Sequence, residues 1–114
     1  MARRAYPHTP DGRYFVSKGR LWRCTDPRLS EPERQALVRD LMTARRAVKL
    51  AGDNAESLRK ARAAVHRAKV ALGERGPVWW DDGAEPVDNF HPKNTPYANW
   101  WRSLSDEERA SGEA

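Results

Sequence analysis

The residues whose types and spacing bear on chemistry are basic and aromatic. Arg59, Arg62, His66 and Lys69 recur at intervals of three, four and three, which lines them along one edge of a helix. Arg45 and Lys49 join the same flank if the segment before them is a helix folded back on the first. A row of guanidinium and ammonium groups attracts an anion, either the carboxylates of an acidic or protein partner or the phosphates of a nucleic acid. Arg45 is expected to face Arg62, and like charges so placed cost stability unless neutralised. A solvated face is the competing account, because cations near helix C-termini, with Glu31, Glu33, Asp53 and Glu56 near the N-termini, also suit the helix macrodipole. The aromatic set is Trp79, Trp80, Trp100 and Trp101. The chain has five Trp, more than a small core can cover, and an exposed one beside Asp81 and Asp82 would suit a protein contact.

Other chemistries are weaker. Cys24 lies near Arg20 and Arg23, and adjacent cations can lower a thiol pKa, but a lone half-buried Cys more often acts as a small hydrophobe. Cys24 with His8, His66 and His91 has no metal-ligand spacing. Asp81, Asp82, Glu85 and Asp88 lack the spacing of a calcium loop. There is no nucleophile elbow, phosphate-binding loop or carboxylate pair in a recognisable frame. No catalytic residue, metal or cofactor is therefore assigned.

Several elements must position these groups. Arg13 to Ser17 and Arg20 to Cys24 are β-prone runs around Lys18-Gly19, the pattern of a two-residue hairpin with Phe15 opposite Trp22 and Val16 opposite Leu21. Ser30-Glu31-Pro32-Glu33 is a helix start, with an N-cap Ser, Glu three residues later and Pro in the first turn. The apolar spacing predicts a helix over 31–51, a stop at Gly52, and a second helix over 54–72 ending before Gly73. Leu37, Leu41, Ala44, Val48 and Ala51 would face Leu72, Ala68, Val65, Ala61 and Leu58 across an antiparallel pair, four of the five layers matching large with small. The opposite flank, with Ala36, Ala47, Ala64 and Ala71, would receive the hairpin and the Trp segments. An edge strand is expected at 78–80, next to Pro77, and a short helix at 96–103. The expected organisation is a loose arm over 1–12, a single α+β domain over 13–104 and a polar acidic tail over 105–114.

Charge divides along the chain. It sums to +10 through Arg75 and −5 after it, for a total of +5. That asymmetry implies an anionic partner for the basic part, or an acidic segment that folds onto it. Sixteen Arg against five Lys, with no Ile, is also what a GC-rich genome tends to encode. The longest apolar stretch, Pro77 to Trp80, is far short of the roughly 20 residues that span a bilayer. No apolar region follows Arg3 and Arg4, so no secretory signal is read and a cytoplasmic location is expected.

The words Asp11-Gly12-Arg13-Tyr14, Lys18-Gly19-Arg20-Leu21-Trp22-Arg23, the run Ala68 to Gly83 and Asn94-Thr95-Pro96-Tyr97 carry a resemblance. Over about Asp11 to Trp101 the chain resembles a group of small bacterial proteins, some of which carry the label "biopolymer transporter Tol". That group has no assigned chemistry, so the resemblance implies no site residue. The expected fold is α+β: a long antiparallel two-helix hairpin packed on a small antiparallel β-sheet, with a Trp-rich C-terminal segment. The expected function is a non-enzymatic interaction protein that takes an acidic or protein partner through the cationic flank and an exposed Trp. Sequence-nonspecific nucleic-acid binding comes second, and a small enzyme or thiol-reactive protein third.

Overall fold

The computed structural model describes residues 6–114; residues 1–5 of the expected N-terminal arm lie outside it. The fold is α+β, with two long helices, a two-stranded antiparallel sheet and a Trp-rich C-terminal region. It contains two compact units. One comprises residues 6–24 and Asp82–Ala114, the other Thr25–Asp81.

The helical unit is built by local signals. Helix α1 spans Glu31–Ala51 and starts at Ser30, whose side chain accepts from the Glu33 backbone N–H while the Glu33 carboxylate accepts from the Ser30 N–H. Such a capping box satisfies two otherwise orphan donors, and its cap is typically worth about 1 kcal/mol. Gly52, at φ 54°, ends α1. Asn54 then caps α2, Ala55–Ala71, by accepting from the Ser57 N–H at 2.9 Å. The seam buries Leu41 and Ala44 of α1 with Ala61 and Ala68 of α2. Leu41, Ala68 and Leu72 form one apolar cluster joined by Leu29, Leu37, Val38 and Val65. Leu37, Leu41, Ala44, Ala61, Val65, Ala68 and Leu72 are among the positions that the sequence spacing assigns to the seam.

Helix α2 ends in a Schellman motif. The Gly73 N–H donates to the Val70 carbonyl and the Glu74 N–H to the Lys69 carbonyl, both at 3.0 Å. Gly73 sits at φ +81°, and a Cβ there would stand 2.8 Å from the Asp26 Cβ and 3.0 Å from the Trp79 ring, so only glycine fits. The segment after it forms no strand: 78–80 is irregular. The edge strand expected there is corrected. Val78, Trp79 and Trp80 are half-buried, and Trp79 and Trp80 meet edge to face with ring centroids 5.1 Å apart.

In the other unit, strands β1, Tyr14–Ser17, and β2, Arg20–Arg23, pair in the register read from sequence, Phe15 with Trp22 and Val16 with Leu21. Lys18 at φ 56° and Gly19 at φ 70° make the turn, both left-handed as a type I′ hairpin requires. The inner face is Tyr14, Val16, Leu21 and Arg23. Both free edges of this ribbon are covered by short segments. Val16 donates to the Pro7 carbonyl and Thr9 to the Tyr14 carbonyl on one side, while Leu21 donates to Phe90 and Asn89 to Leu21 on the other. Covering the edges leaves few unpaired backbone groups to template aggregation. Residues 6–12 of the expected loose arm are thus partly built into the unit, with Thr9 only 3% exposed.

The expected helix at 96–103 is present as α3, Ala98–Ser103, and a 3-10 turn, Pro92–Asn94, precedes it. The expected acidic tail is corrected too, because its end is helix α4, Asp106–Glu113, started by a second capping box between Ser105 and Glu108. Gly112 of α4 lies where a Cβ would meet the Trp101 ring at 2.9 Å and Val16 at 3.2 Å. The Gly19 N–H donates to the Gly112 carbonyl, and His91 Nε2 lies 2.8 Å from Glu113 Oε1.

Candidate functional site

The helical hairpin brings part of the cationic flank into one concavity. Arg45 and Val48 of α1, Arg62 and Val65 of α2, and Arg75 beyond α2 line an open hollow of about 420 Å³. Its lining is two valines and three arginines. Arg45, Arg62 and Arg75 are all exposed. Among the described residues, none of the three is held in an ion pair.

Lys69 stands beside this group. Burial pushes its ammonium below the ordinary lysine value, and Arg75 and Arg45 push the same way, while Glu74 opposes them. The Lys69 Nζ to Glu74 Oε1 separation is 4.0 Å, and Glu74 also accepts from the Thr25 hydroxyl at 2.9 Å. One carboxylate therefore serves a lysine that Arg75 and Arg45 both disfavour in its charged form. Lys49, Arg59 and His66 are exposed on the same helices and do not line the hollow. Of the six basic residues expected to act together, the structure gathers Arg45 and Arg62, with Lys69 adjacent.

Arg75 was not among those six. It lies past the helix stop, where helical periodicity carries no information. The signal that could have found it is Gly73 as the C′ residue, because a Schellman turn reverses the chain and returns the next residues to the flank just left.

The aromatic candidates are placed differently from one another. Trp101 is 6% exposed and belongs to the core, against Gly112 and edge-on to His91 at 5.4 Å. That corrects its assignment as a contact residue: α3 turns its ring inward because α4 offers a glycine to pack on. Trp79, Trp80 and Trp100 are half-buried. The exposed aromatics are Trp22, 38% exposed, and Phe90, 54% exposed.

The remaining chemical candidates are engaged structurally. Arg23 is buried and makes a two-pronged contact with Asp88, at 3.2 and 2.7 Å. Arg13 pairs with Asp82. Asp11 accepts from the Tyr97 hydroxyl at 2.6 Å, the Thr9 hydroxyl at 2.7 Å and the Arg13 N–H at 3.1 Å. Burial pushes the Asp11 carboxyl up, but those hydrogen bonds outweigh it and hold the group below its ordinary value.

Among the described residues, no helix is long and apolar enough to cross a membrane. Comparison of the chain with known protein families, curated proteins and solved structures found no match. Nothing in those comparisons bears on the resemblance noted above, and the functional reading stands on the geometry of the site.

Proposed function

We propose that this protein is a non-enzymatic binding protein whose helical hairpin takes an acidic segment of a protein partner at the Arg45, Arg62 and Arg75 hollow. The observation that carries this reading is that three exposed arginines, from α1, α2 and the turn after α2, line one concavity. Guanidinium forks match carboxylates in two-pronged geometry, and each such bond is stronger than a neutral one. Carboxylates placed there would also offset the effect of Arg75 and Arg45 on Lys69.

The test is fluorescence anisotropy of labelled polyglutamate, with unlabelled DNA and RNA as competitors, over a salt series. The reading expects salt-sensitive polyglutamate binding that is lost in the triple variant Arg45→Glu, Arg62→Glu, Arg75→Glu with its helical circular dichroism unchanged. Equal binding by the variant overturns it, and nucleic acid binding tighter than polyglutamate puts phosphates in place of carboxylates.

A further inference from the structure

Lys69 differs from every other lysine of the chain. Lys18, Lys49, Lys60 and Lys93 are exposed, whereas Lys69 is half-buried, its side chain 21% exposed. We propose that the Lys69 amine is a chemical modification site, acylated without an enzyme by small acyl phosphates that the arginines of the hollow draw to it. No protein partner at the hollow is required.

Three observations carry this assignment. First, the fold fixes what stands next to the amine. The Glu74 N–H donates to the Lys69 carbonyl at 3.0 Å across the Schellman motif, and the Glu74 carboxylate accepts from the Thr25 hydroxyl at 2.9 Å. That carboxylate lies 4.0 Å from the Lys69 Nζ, near enough to attract the ammonium and too far for a hydrogen bond to hold it. Second, Lys69 continues the face of α2 that lines the hollow, since Arg62, Val65 and Lys69 follow at intervals of three and four. Exposed guanidinium groups concentrate anions around them, and an acyl phosphate is an anion that brings its reactive carbonyl with it. Third, burial favours the uncharged amine, and so do Arg75 and Arg45. That is the form that attacks a carbonyl carbon, and desolvation and adjacent cations are the usual means of activating a lysine. The exposed lysines lack that burial.

The step balances without a further reagent. The Lys69 ammonium first gives a proton to water. The nitrogen lone pair then attacks the acyl carbonyl carbon and forms the C–N bond, while the C–O bond to phosphorus's oxygen breaks and its electron pair leaves with phosphate. A second proton passes from nitrogen to the departing phosphate. The product is an amide that has lost the Lys69 charge.

The test incubates the full chain with acetyl phosphate, or with the uncharged N-hydroxysuccinimide ester of acetic acid, and reads the acetylation rate at each lysine by mass spectrometry. With acetyl phosphate, Lys69 should react roughly fivefold or more faster than Lys49 and Lys60. Its advantage should be smaller with the uncharged ester, which the arginines do not attract. Arg62→Gln should slow acetyl phosphate at Lys69 about twofold or more and leave the ester rate unchanged, because Arg62 lines the hollow while the cations that act on the amine are Arg75 and Arg45. Arg75→Gln should slow both reagents, with the helical circular dichroism of each variant unchanged. Lys69 rates no higher than those of Lys49 and Lys60 overturn the proposal, and so does an equal Lys69 advantage with both reagents in the unsubstituted protein. None of these rates involves polyglutamate, so a failure here and a failure of the acidic-partner reading are told apart.

Discussion

Arg45 on α1 and Arg62 on α2 line the same hollow, one from each helix of the hairpin, together with Val48 and Val65. Nothing in the hairpin's stability requires that meeting. The apolar seam of Leu41, Ala44, Ala61 and Ala68 fixes the helix register, and the two arginines are carried to one place by it. A solvated cationic face does not need the two arginines to line one hollow, and the proposed binding role gives their placement a purpose.

The electrostatic strain in this cluster is measurable without a ligand. Arg45 and Arg75 both act to lower the Lys69 ammonium, so replacing either with Gln should raise the Lys69 pKa. The Arg75→Glu exchange should raise it further. Side-chain NMR titration of Lys69 checks this, and an unchanged midpoint in all three variants would show that the cations do not feel one another.

Glycine 112 should respond to alanine in the unusual direction. A Gly to Ala change inside a helix ordinarily stabilises by about 1 kcal/mol. Here the added Cβ meets the Trp101 ring at 2.9 Å, and overpacking of that kind costs roughly 1–3 kcal/mol. Gly112→Ala should therefore destabilise the β-hairpin unit in urea denaturation, with Ala110→Gly as the ordinary helix comparison.

Arg23 and Asp88 should act as a structural pair. Removing one partner of a fully buried ion pair costs roughly 3–5 kcal/mol. The Asp88 side chain is 28% exposed, so Asp88→Ala should cost less, about 2–3 kcal/mol. Replacing both residues together should cost less than the sum of the single changes, which a double-mutant cycle measures.

The pH dependence of the same unit has a sign at each end. The Asp11 carboxyl is held below its ordinary value, so its contribution is present above the unfolded-state pKa of about 3.9 and is lost as pH falls through the folded one. Tyr97 moves the other way, because burial, then the hydrogen bond to Asp11, raises its phenol. Stability from Tyr97 is therefore present below the unfolded pKa of about 10 and declines as pH rises above it. Asp11→Asn should flatten the acid limb of a stability profile measured by chemical denaturation. Phenolate absorbance should show Tyr97 ionising together with unfolding.

The legible parts of this fold are those set by neighbours in sequence. Ser30 and Glu33 announce α1, Lys18-Gly19 makes its turn, and the apolar spacing sets the seam between α1 and α2, because caps, turns and periodicity act within a few residues. The edges of the sheet were not legible. Pro7, Thr9, Asn89 and Phe90 pair through backbone groups, which every residue type carries, so their identities do not advertise the pairing. Val78-Trp79-Trp80 has strand composition, yet Trp79 packs against Gly73 instead. The acidic composition of residues 105–114 concealed a helix whose start, Ser105 with Glu108, repeats the Ser30 pattern. Two of the three arginines of the hollow, Arg45 and Arg62, were visible on the helical flank, and Arg75 was hidden beyond the helix stop.

The most direct test of the central claim follows the arginine side chains themselves. Titrating the protein with polyglutamate at low salt while recording the guanidinium Nε–Hε resonances should shift Arg45, Arg62 and Arg75 together along one binding curve, with Arg34, paired to Glu31, unmoved. Shifts spread evenly over all exposed arginines, or none at the three, would contradict a site at this hollow.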